Sequence, residues 1–265
     1  MTEEPNVSKS EEKYALRSVS RAVDILQALG EQNSDGMTVA ELAESINVSK
    51  STAFTLLQTL LSRGFVADER LGGSRRYRLG LALVHLGDRA AANTGITQLA
   101  LPMLQQLTQD TGLTSRLAVL DEGYAVAISR VDAPGLFRLA GSLGTRELPH
   151  CSGVGKALLA LLPPARVLQI LKRIGMPRRT EHTITDAADL VRNLVDVAVR
   201  GYAFDDEEDN LGVICVAAAV TDRSGAGLAA ISVTSMKGGR TIEDMHVLGH
   251  VVRAYADKIS KLLGA

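Results

Sequence analysis

Apolar residues recur every three or four positions through the first part of the chain, which is the period of helices that bury one face. This spacing predicts a helix over 16–29 and two further helices within 38–63. Asn47, which tolerates the left-handed backbone of a tight turn, separates the latter two, and Ser49 is placed as the N-cap of the second. The inward stripe of that second helix is Leu56, Leu57 and Leu60. The pattern is that of a helix-turn-helix.

A hairpin is predicted directly after these helices. One strand begins at Phe65, Gly72 and Gly73 form the turn, and a second strand returns through Tyr77–Leu79. An arginine-rich hairpin in this position is typical of a wing that lies along DNA. The alternatives are that the hairpin is only a solvated face, or that the helical unit is a protein-interaction module.

Polar side chains and positive charge on this segment favour double-stranded DNA as its partner. Six basic residues against two acidic ones leave residues 49–78 with a net charge of four, whereas the whole chain has a net charge of −1. A local basic patch on a near-neutral chain favours docked DNA binding. The predicted DNA-binding residues are Ser49, Lys50, Ser51, Thr52, Thr55, Arg70, Arg75, Arg76 and Arg78.

The remainder of the chain mixes helical and alternating patterns, which predicts the α+β fold class. An apolar helix over 81–92 has wide apolar faces, so we expect it to pack against a second subunit. Further helices are predicted at 96–111, 152–162, 165–174, 186–200 and 242–263. Strands are predicted at 116–120, 124–131, 137–140, 202–205, 213–221 and 227–235.

These elements divide the chain into a flexible tail (1–14), a winged helix-turn-helix domain (15–79), a linker helix (80–94) and an effector domain (95–265). The apolar content of 46% is ample for buried cores. Two cysteines are too few for a disulfide framework, and the N-terminal residues do not have the pattern of a signal peptide. A cytoplasmic protein with no membrane partner and no cofactor is therefore expected.

With these segments laid out, the chain resembles the isocitrate lyase regulator (IclR) family of bacterial transcription factors. The resemblance covers about residues 15–263. It lies in the helix-turn-helix and in four motifs, Ser18-Val19-Ser20-Arg21-Ala22, Tyr77-Arg78-Leu79-Gly80, His150-Cys151-Ser152-Gly153-Val154-Gly155-Lys156-Ala157-Leu158-Leu159-Ala160 and Gly201-Tyr202-Ala203-Phe204-Asp205-Asp206-Glu207-Glu208. The resemblance implies a winged helix-turn-helix joined by a helix to a GAF-like effector domain. It also implies a homodimer or dimer of dimers and a small organic acid as effector.

The same resemblance assigns effector-contacting positions. Ser152 begins a helix whose free amides and dipole suit an anion, and Ser232 and Thr234 are two apart on one strand, so they share a face. The expected effector-binding residues are Leu136, Leu139, Ser152, Gly153, Val154, Asp205, Val213, Cys215, Ser232 and Thr234. Glu147 departs from the family's apolar pattern before His150 and changes one wall of the expected pocket.

Plainer interpretations of these positions stay open. Ser232 and Thr234 would equally suit a solvated sheet face, and Cys215 would suit a core. The acidic run at 205–209 is typical of a solvated loop, from which only Asp205 is placed to turn inward. Lys156 is placed to pair either with a ligand or with that loop.

Other classes of protein fit less well. His150 and Cys151 are neighbours that point apart on an extended segment, so they do not form a nucleophile–base pair, and the chain is expected not to be an enzyme. The alternative is a metal- or redox-sensing transcription factor that uses His150, Cys151, His182 and Cys215, although these residues lack ligand spacing. The favoured function is a ligand-responsive regulator, more readily a repressor than an activator, of a metabolic operon with a pseudo-palindromic operator.

Overall fold

The computed structural model describes residues 16–32, 35–92, 95–134 and 141–265. The described residues form two compact units, which divide between Ala90 and Ala91. The predicted strand at 137–140 lies outside the described residues. Within the described ranges, no helix is long and apolar enough to cross a membrane.

The N-terminal unit is a small helical core with a three-stranded sheet of order β1-β3-β2. Its elements are α1 (Arg17–Glu31), β1 (Met37–Thr38), α2 (Val39–Ser45), α3 (Lys50–Ser62), β2 (Val66–Leu71) and β3 (Ser74–Leu79). Their shared core contains Ile25, Leu42, Leu57, Val66 and Tyr77. The helix-turn-helix and the hairpin are thus built on one apolar cluster, which fixes the hairpin relative to α3.

The helix α4 (Ala82–Ala92) follows the hairpin and contains the division between the two units. Apolar residues at the start of α4 are largely exposed: Leu81, Val84 and Leu86 are 85%, 67% and 50% exposed. The sequence-based expectation of a helix with excess apolar surface is met by these exposures.

The C-terminal unit is a six-stranded antiparallel sheet of order β6-β5-β4-β9-β8-β7 with helices on both faces. Its strands are β4 (Thr114–Asp121), β5 (Tyr124–Val131), β6 (Arg146–Glu147), β7 (Ala203–Asp206), β8 (Val213–Thr221) and β9 (Gly227–Met236). Its helices are α5 (Ile96–Thr111), α6 (Gly153–Leu159), α7 (Pro164–Ile174), α8 (Ala187–Arg200) and α9 (Ile242–Leu262). The fold is α+β, as predicted.

Strand periodicity decides which side chains meet on each face of this sheet. Ile214, Val216 and Ile231 face the larger core under α5 and α9. Ala217 and Ala230 face the smaller core under α6. Small residues on this second face let α6 approach the sheet closely, and the polar residues that share the face come together beside the start of α6.

Candidate DNA interface and ligand cavity

The turn between α2 and α3 forms as the sequence predicts. Asn47 has a φ of 52°, and the amide of Val48 donates to the carbonyl of Ala43 at 2.9 Å. The Ser49 hydroxyl accepts a hydrogen bond from the amide of Thr52 at 3.1 Å, so Ser49 caps α3. This cap sets where the exposed face of α3 begins.

The outward face of α3 contains most of the predicted polar residues and one large apolar residue that is not among the predicted DNA-binding residues. Lys50, Ser51, Thr55 and Thr59 are exposed, and Thr52 is half-buried. Phe54 is 45% exposed on the same helix. On the helix, Phe54 lies beside the inward apolar stripe, and this spacing is the sequence signal from which its exposure could have been predicted.

The hairpin 66–79, which we call the wing, holds its arginines in different ways. Arg75 donates to Asp68 at 2.6 Å, and this bond lowers the pKa of the Asp68 carboxyl. Arg78 pairs with Glu69 at 2.9 Å. Arg70 is exposed and has no ion pair within the described residues. The wing is therefore less positive than its arginine count indicates.

Arg76 has a structural role that its sequence position did not reveal. Its guanidinium donates to the carbonyl of Asp35 at 2.9 Å and to that of Gly36 at 3.0 Å. The side chain is 26% exposed and also lies 3.5 Å from Glu41. Arg76 thus fastens β3 to the segment before α2.

A cavity of about 350 Å³ lies beside the start of α6 in the C-terminal unit. Six of the predicted effector residues line it, namely Ser152, Gly153, Asp205, Val213, Cys215 and Thr234. Leu136 and Leu139 lie outside the described residues. Val154 and Ser232 do not line the cavity, because Val154 packs in the core under α6 and Ser232 is fully buried. The Ser232 hydroxyl has no hydrogen-bond partner among the described residues.

The two glycines at the start of α6 serve chain packing. A Cβ on Gly155 would lie 2.4 Å from the Cα of Pro149, and one on Gly153 would lie 3.2 Å from the carbonyl oxygen of Cys215. The Ser152 hydroxyl also accepts a hydrogen bond from the Gly155 amide at 3.2 Å. Gly153 lines the cavity, and both glycines let α6 pack closely on the segment before it and on β8.

Three arginines line the cavity, and none of them is among the predicted effector-binding residues: Arg116, Arg146 and Arg179. Three acids, Glu147, Asp205 and Asp209, line it too. Arg146 and Arg179 are half-exposed and pair with surface-accessible acids. Arg116 differs, because only 7% of its side chain is exposed.

Arg116 forms an ion pair with Glu147, the residue that departs from the family pattern. Its Nη1 donates to Glu147 Oε1 at 2.5 Å, and 17% of the Glu147 side chain is exposed. The Arg116 Nε is buried without a partner among the described residues. Register explains the placement, since Arg116 lies opposite Ser232 on β9, and Ser232 opposite Ala217 on β8. A buried guanidinium that is bound to Glu147 is thus part of the cavity.

The acidic run at 205–209 is anchored, which corrects the expectation of a mainly solvated loop. Glu208 is buried and pairs with the buried Lys156 of α6. Lys237 pairs with Asp206 at 2.9 Å and with Glu207 at 2.5 Å. Lys156 therefore takes the second of its two open roles and binds the acidic loop.

Asp205 turns inward as predicted and is 6% exposed. Its Oδ1 accepts hydrogen bonds from the amides of Glu208 at 2.8 Å and Asp209 at 3.3 Å. Burial, together with the nearby Glu208 carboxylate, raises the pKa of Asp205 to about 7. This carboxyl can therefore donate or accept a hydrogen bond near neutral pH.

The candidate metal and redox residues do not converge. Within the described residues no three histidine, cysteine or acidic side chains are grouped to hold a metal ion. His150 is buried against the carbonyl of Pro177 at 3.1 Å. Burial raises the pKa of both Cys151 and Cys215, which disfavours the reactive thiolate. The metal- or redox-sensing alternative is not favoured.

Comparison with known proteins identifies the class. The family described as the IclR helix-turn-helix domain matches residues 18–70, and that described as the bacterial transcriptional regulator IclR C-terminal domain matches residues 88–261. The transcriptional regulator KdgR of Escherichia coli is 36% identical over 86% of this chain and 86% of its own length. The transcriptional repressor AllR of Klebsiella pneumoniae is 31% identical over 99% of this chain and 93% of its own. The crystal structure of the Thermotoga maritima IclR has a TM-score of 0.78 at 28% identity and covers 95% of this chain and 100% of its own.

The winged helix-turn-helix and the separate α+β unit define a DNA-binding transcriptional regulator, not an enzyme. The chain belongs to the IclR family of bacterial transcriptional regulators.

We predict that substitution of Arg76 lowers the stability of the fold, whereas substitution of Arg70 changes the binding of DNA. Arg76→Ala removes charge-assisted bonds to two carbonyls and should lower the free energy of unfolding by about 1–3 kcal/mol. Arg70→Ala should change stability by less than about 0.5 kcal/mol. It should instead flatten the salt dependence of DNA binding by roughly one unit. Thermal melts and anisotropy titrations over a salt series measure both, and a stable Arg76→Ala protein would contradict the structural role.

A second prediction concerns pH. The pKa of Asp205 is about 7 in the folded chain against an ordinary value of 3.8. The folded chain therefore holds this proton more tightly, and the resulting stability is present at acid pH and is lost as the pH rises through about 7. Asp205→Asn keeps an oxygen for the two amides but does not titrate. Between pH 4 and 8 the wild type should lose about 3 kcal/mol more than this variant in urea unfolding. Equal pH slopes would contradict it.

Proposed function

We propose that this protein is a cytoplasmic repressor of a metabolic operon and that a small organic acid in the cavity controls its affinity for DNA. The observation that carries the proposal is the buried Arg116 in a cavity of metabolite size. The relative AllR is named a transcriptional repressor, which supports the sign of regulation. DNA binding takes place in the cytoplasm of bacteria, which accounts for the location.

A carboxylate is the ligand group that best suits Arg116. Guanidinium groups bind carboxylates through paired hydrogen bonds, and Arg116 lines the cavity with its guanidinium already bound to one carboxylate, that of Glu147. The volume of about 350 Å³ lies at the small end of ligand sites, so it suits a compact metabolite. Arg146 and Arg179 line the same cavity, and each is paired with an acid.

The remaining polar groups suit a hydroxyl or oxo group on the same ligand. Asp205 keeps one oxygen outside its bonds to the loop amides, and Thr234 lines the cavity beside Cys215. Because the pKa of Asp205 is about 7, this carboxyl tolerates an anionic ligand in its protonated form. The class we propose is therefore a short hydroxy- or oxocarboxylate, with its carboxylate on Arg116 and its second polar group toward Asp205.

At the other end of the chain, we propose that α3 enters the major groove and that the wing follows the flanking backbone. Lys50, Arg63 and Arg70 are exposed basic residues that have no ion pair within the described part of this unit. We assign phosphate contacts to these residues and to the paired Arg75 and Arg78. A pair of such domains would read a pseudo-palindromic site.

We further propose that α4 forms part of a homodimer interface. Leu81 and Val84 are three residues apart and largely exposed, so they share one face. On α1, Leu16, Val19 and Val23 form a second exposed apolar stripe. A monomer seldom leaves contiguous apolar surface of this kind in water. Because α4 connects the two units along the chain, ligand binding would act on dimer geometry through it, and a coupling of about 1–3 kcal/mol suffices for control.

For assembly, we predict that Leu81→Glu with Val84→Glu gives monomers. The two charges would be buried unpaired at the interface, which strongly opposes association. Sedimentation at micromolar concentration measures the mass, and Leu168→Glu on the exposed face of α7 serves as a matched control. A wild-type protein that sediments as a monomer would refute the proposal.

For the ligand, we predict that Glu147 and Arg116 change binding in opposite directions. In Glu147→Gln the guanidinium loses its resident carboxylate, so ligand carboxylates should bind at least about tenfold more tightly. In Arg116→Gln with Glu147→Gln a neutral hydrogen-bonded pair replaces the ions, and binding should be lost. Thermal-shift titration of short hydroxy- and oxocarboxylates, each beside its methyl ester, measures these differences.

The ester comparison is the internal control for charge. An ester keeps the shape of the acid but removes its negative charge, so it should stabilise neither the wild type nor Glu147→Gln. Acids and esters that stabilise the wild type equally would show that Arg116 does not bind a carboxylate. A double variant that still responds to acids would place the ligand elsewhere.

A further inference from the structure

On α3 the polar side chains are largely engaged by their own helix. The hydroxyl of Thr55 donates to the carbonyl of Ser51 at 3.0 Å, and that of Thr59 donates to the carbonyl of Thr55 at 3.2 Å. The hydroxyls of Ser51 and Thr52 lie 2.9 and 2.8 Å from that of Ser49. These groups have few donors left for base edges, although their oxygens still accept.

The amide of Gln58 is restricted as well. Its Nε2 is buried without a partner among the described residues, so this donor does not face solvent. Asparagine and glutamine read adenine with both amide atoms in the major groove, and a buried nitrogen prevents that contact. Lys50 remains as an exposed donor at the start of the helix.

Phe54 is the large apolar side chain that α3 leaves in water. It is the fifth residue of the helix, in the N-terminal half that contacts bases in helix-turn-helix proteins. Its exposed fraction of 45% contrasts with the neighbouring Ala53 and Leu57, which are fully buried. A phenyl ring makes no hydrogen bonds to base edges, so its natural partner in the major groove is the C5-methyl group of thymine.

We propose that Phe54 reads a thymine methyl group in each half-site of the operator. Recognition by α3 is then dominated by apolar contact with thymine, and the basic residues supply affinity without sequence. This inference rests on the proposed placement of α3 in the major groove.

Thymine-to-uracil replacement tests the inference, because it removes only the methyl group. A duplex is first selected from a random library by the full-length protein, and each thymine is then replaced singly by uracil. At one symmetric position per half-site, uracil should weaken wild-type binding about three- to fivefold, the value of one buried methyl group. Phe54→Ala should bind the thymine and uracil duplexes equally, whereas Phe54→Leu should keep a preference for thymine.

The outcomes are distinguishable. Because nearly half of Phe54 is exposed, both variants should fold and sediment as the wild type does, with Phe54→Ala melting only slightly lower, and should bind random duplex with unchanged affinity. A sequence-specific wild type that is insensitive to uracil at every position would overturn the role of Phe54 and leave the DNA-reading role of α3 intact. Uracil sensitivity that persists in Phe54→Ala would also overturn it. Selection of no sequence above random duplex would overturn both proposals.

Discussion

The C-terminal unit depends on one buried ion pair, between Lys156 of α6 and Glu208 of the acidic segment. An ammonium group that is 1% exposed is tolerated only with a carboxylate partner, because an unpaired buried charge costs several kcal/mol. Pairing therefore obliges the segment after β7 to fold back onto α6. This folding back directs Asp205 inward, and the Asp205 Oδ1 then accepts hydrogen bonds from the amides of Glu208 and Asp209. One side of the cavity and the raised pKa of Asp205 both follow from this constraint.

In the DNA-binding unit, hydrogen bonds within the unit determine which polar groups remain free at its surface. Arg76 and the α3 hydroxyls would count as free DNA contacts from their sequence positions, yet their donors bind carbonyls of the same unit. An unpaired buried polar group is costly, so these side chains form hydrogen bonds with the nearest available groups of the same unit. Side chains that are not engaged within the unit are the ones that can recognise a partner. On α3 these side chains are apolar as well as polar.

Local patterns predicted the fold well and the site partly. The strands at 124–131 and 213–221 and the turn at Asn47 follow from alternation and from one residue's backbone preference, both of which are local. Arg116, Glu147 and Lys156 could not be assigned in this way, because their partners lie 31 and 52 residues away. Their pairing depends on sheet register and on loop folding. The short β6 was missed for the same reason, since two residues show no period and pair only with a strand already in place.

The resident carboxylate of Glu147 bears on how the proposed sensor would work. A ligand that replaced Glu147 on Arg116 would gain only the difference between two ion pairs, because the guanidinium is never unpaired in the absence of ligand. Net affinity would then be modest even though the contact itself is strong, which suits a metabolite sensed at substantial concentration. The displaced Glu147 lies on the edge strand β6, whose only ladder partner among the described strands is β5. An edge strand of two residues moves at little cost, so exchange of carboxylates on Arg116 would convert ligand binding into movement of the sheet edge.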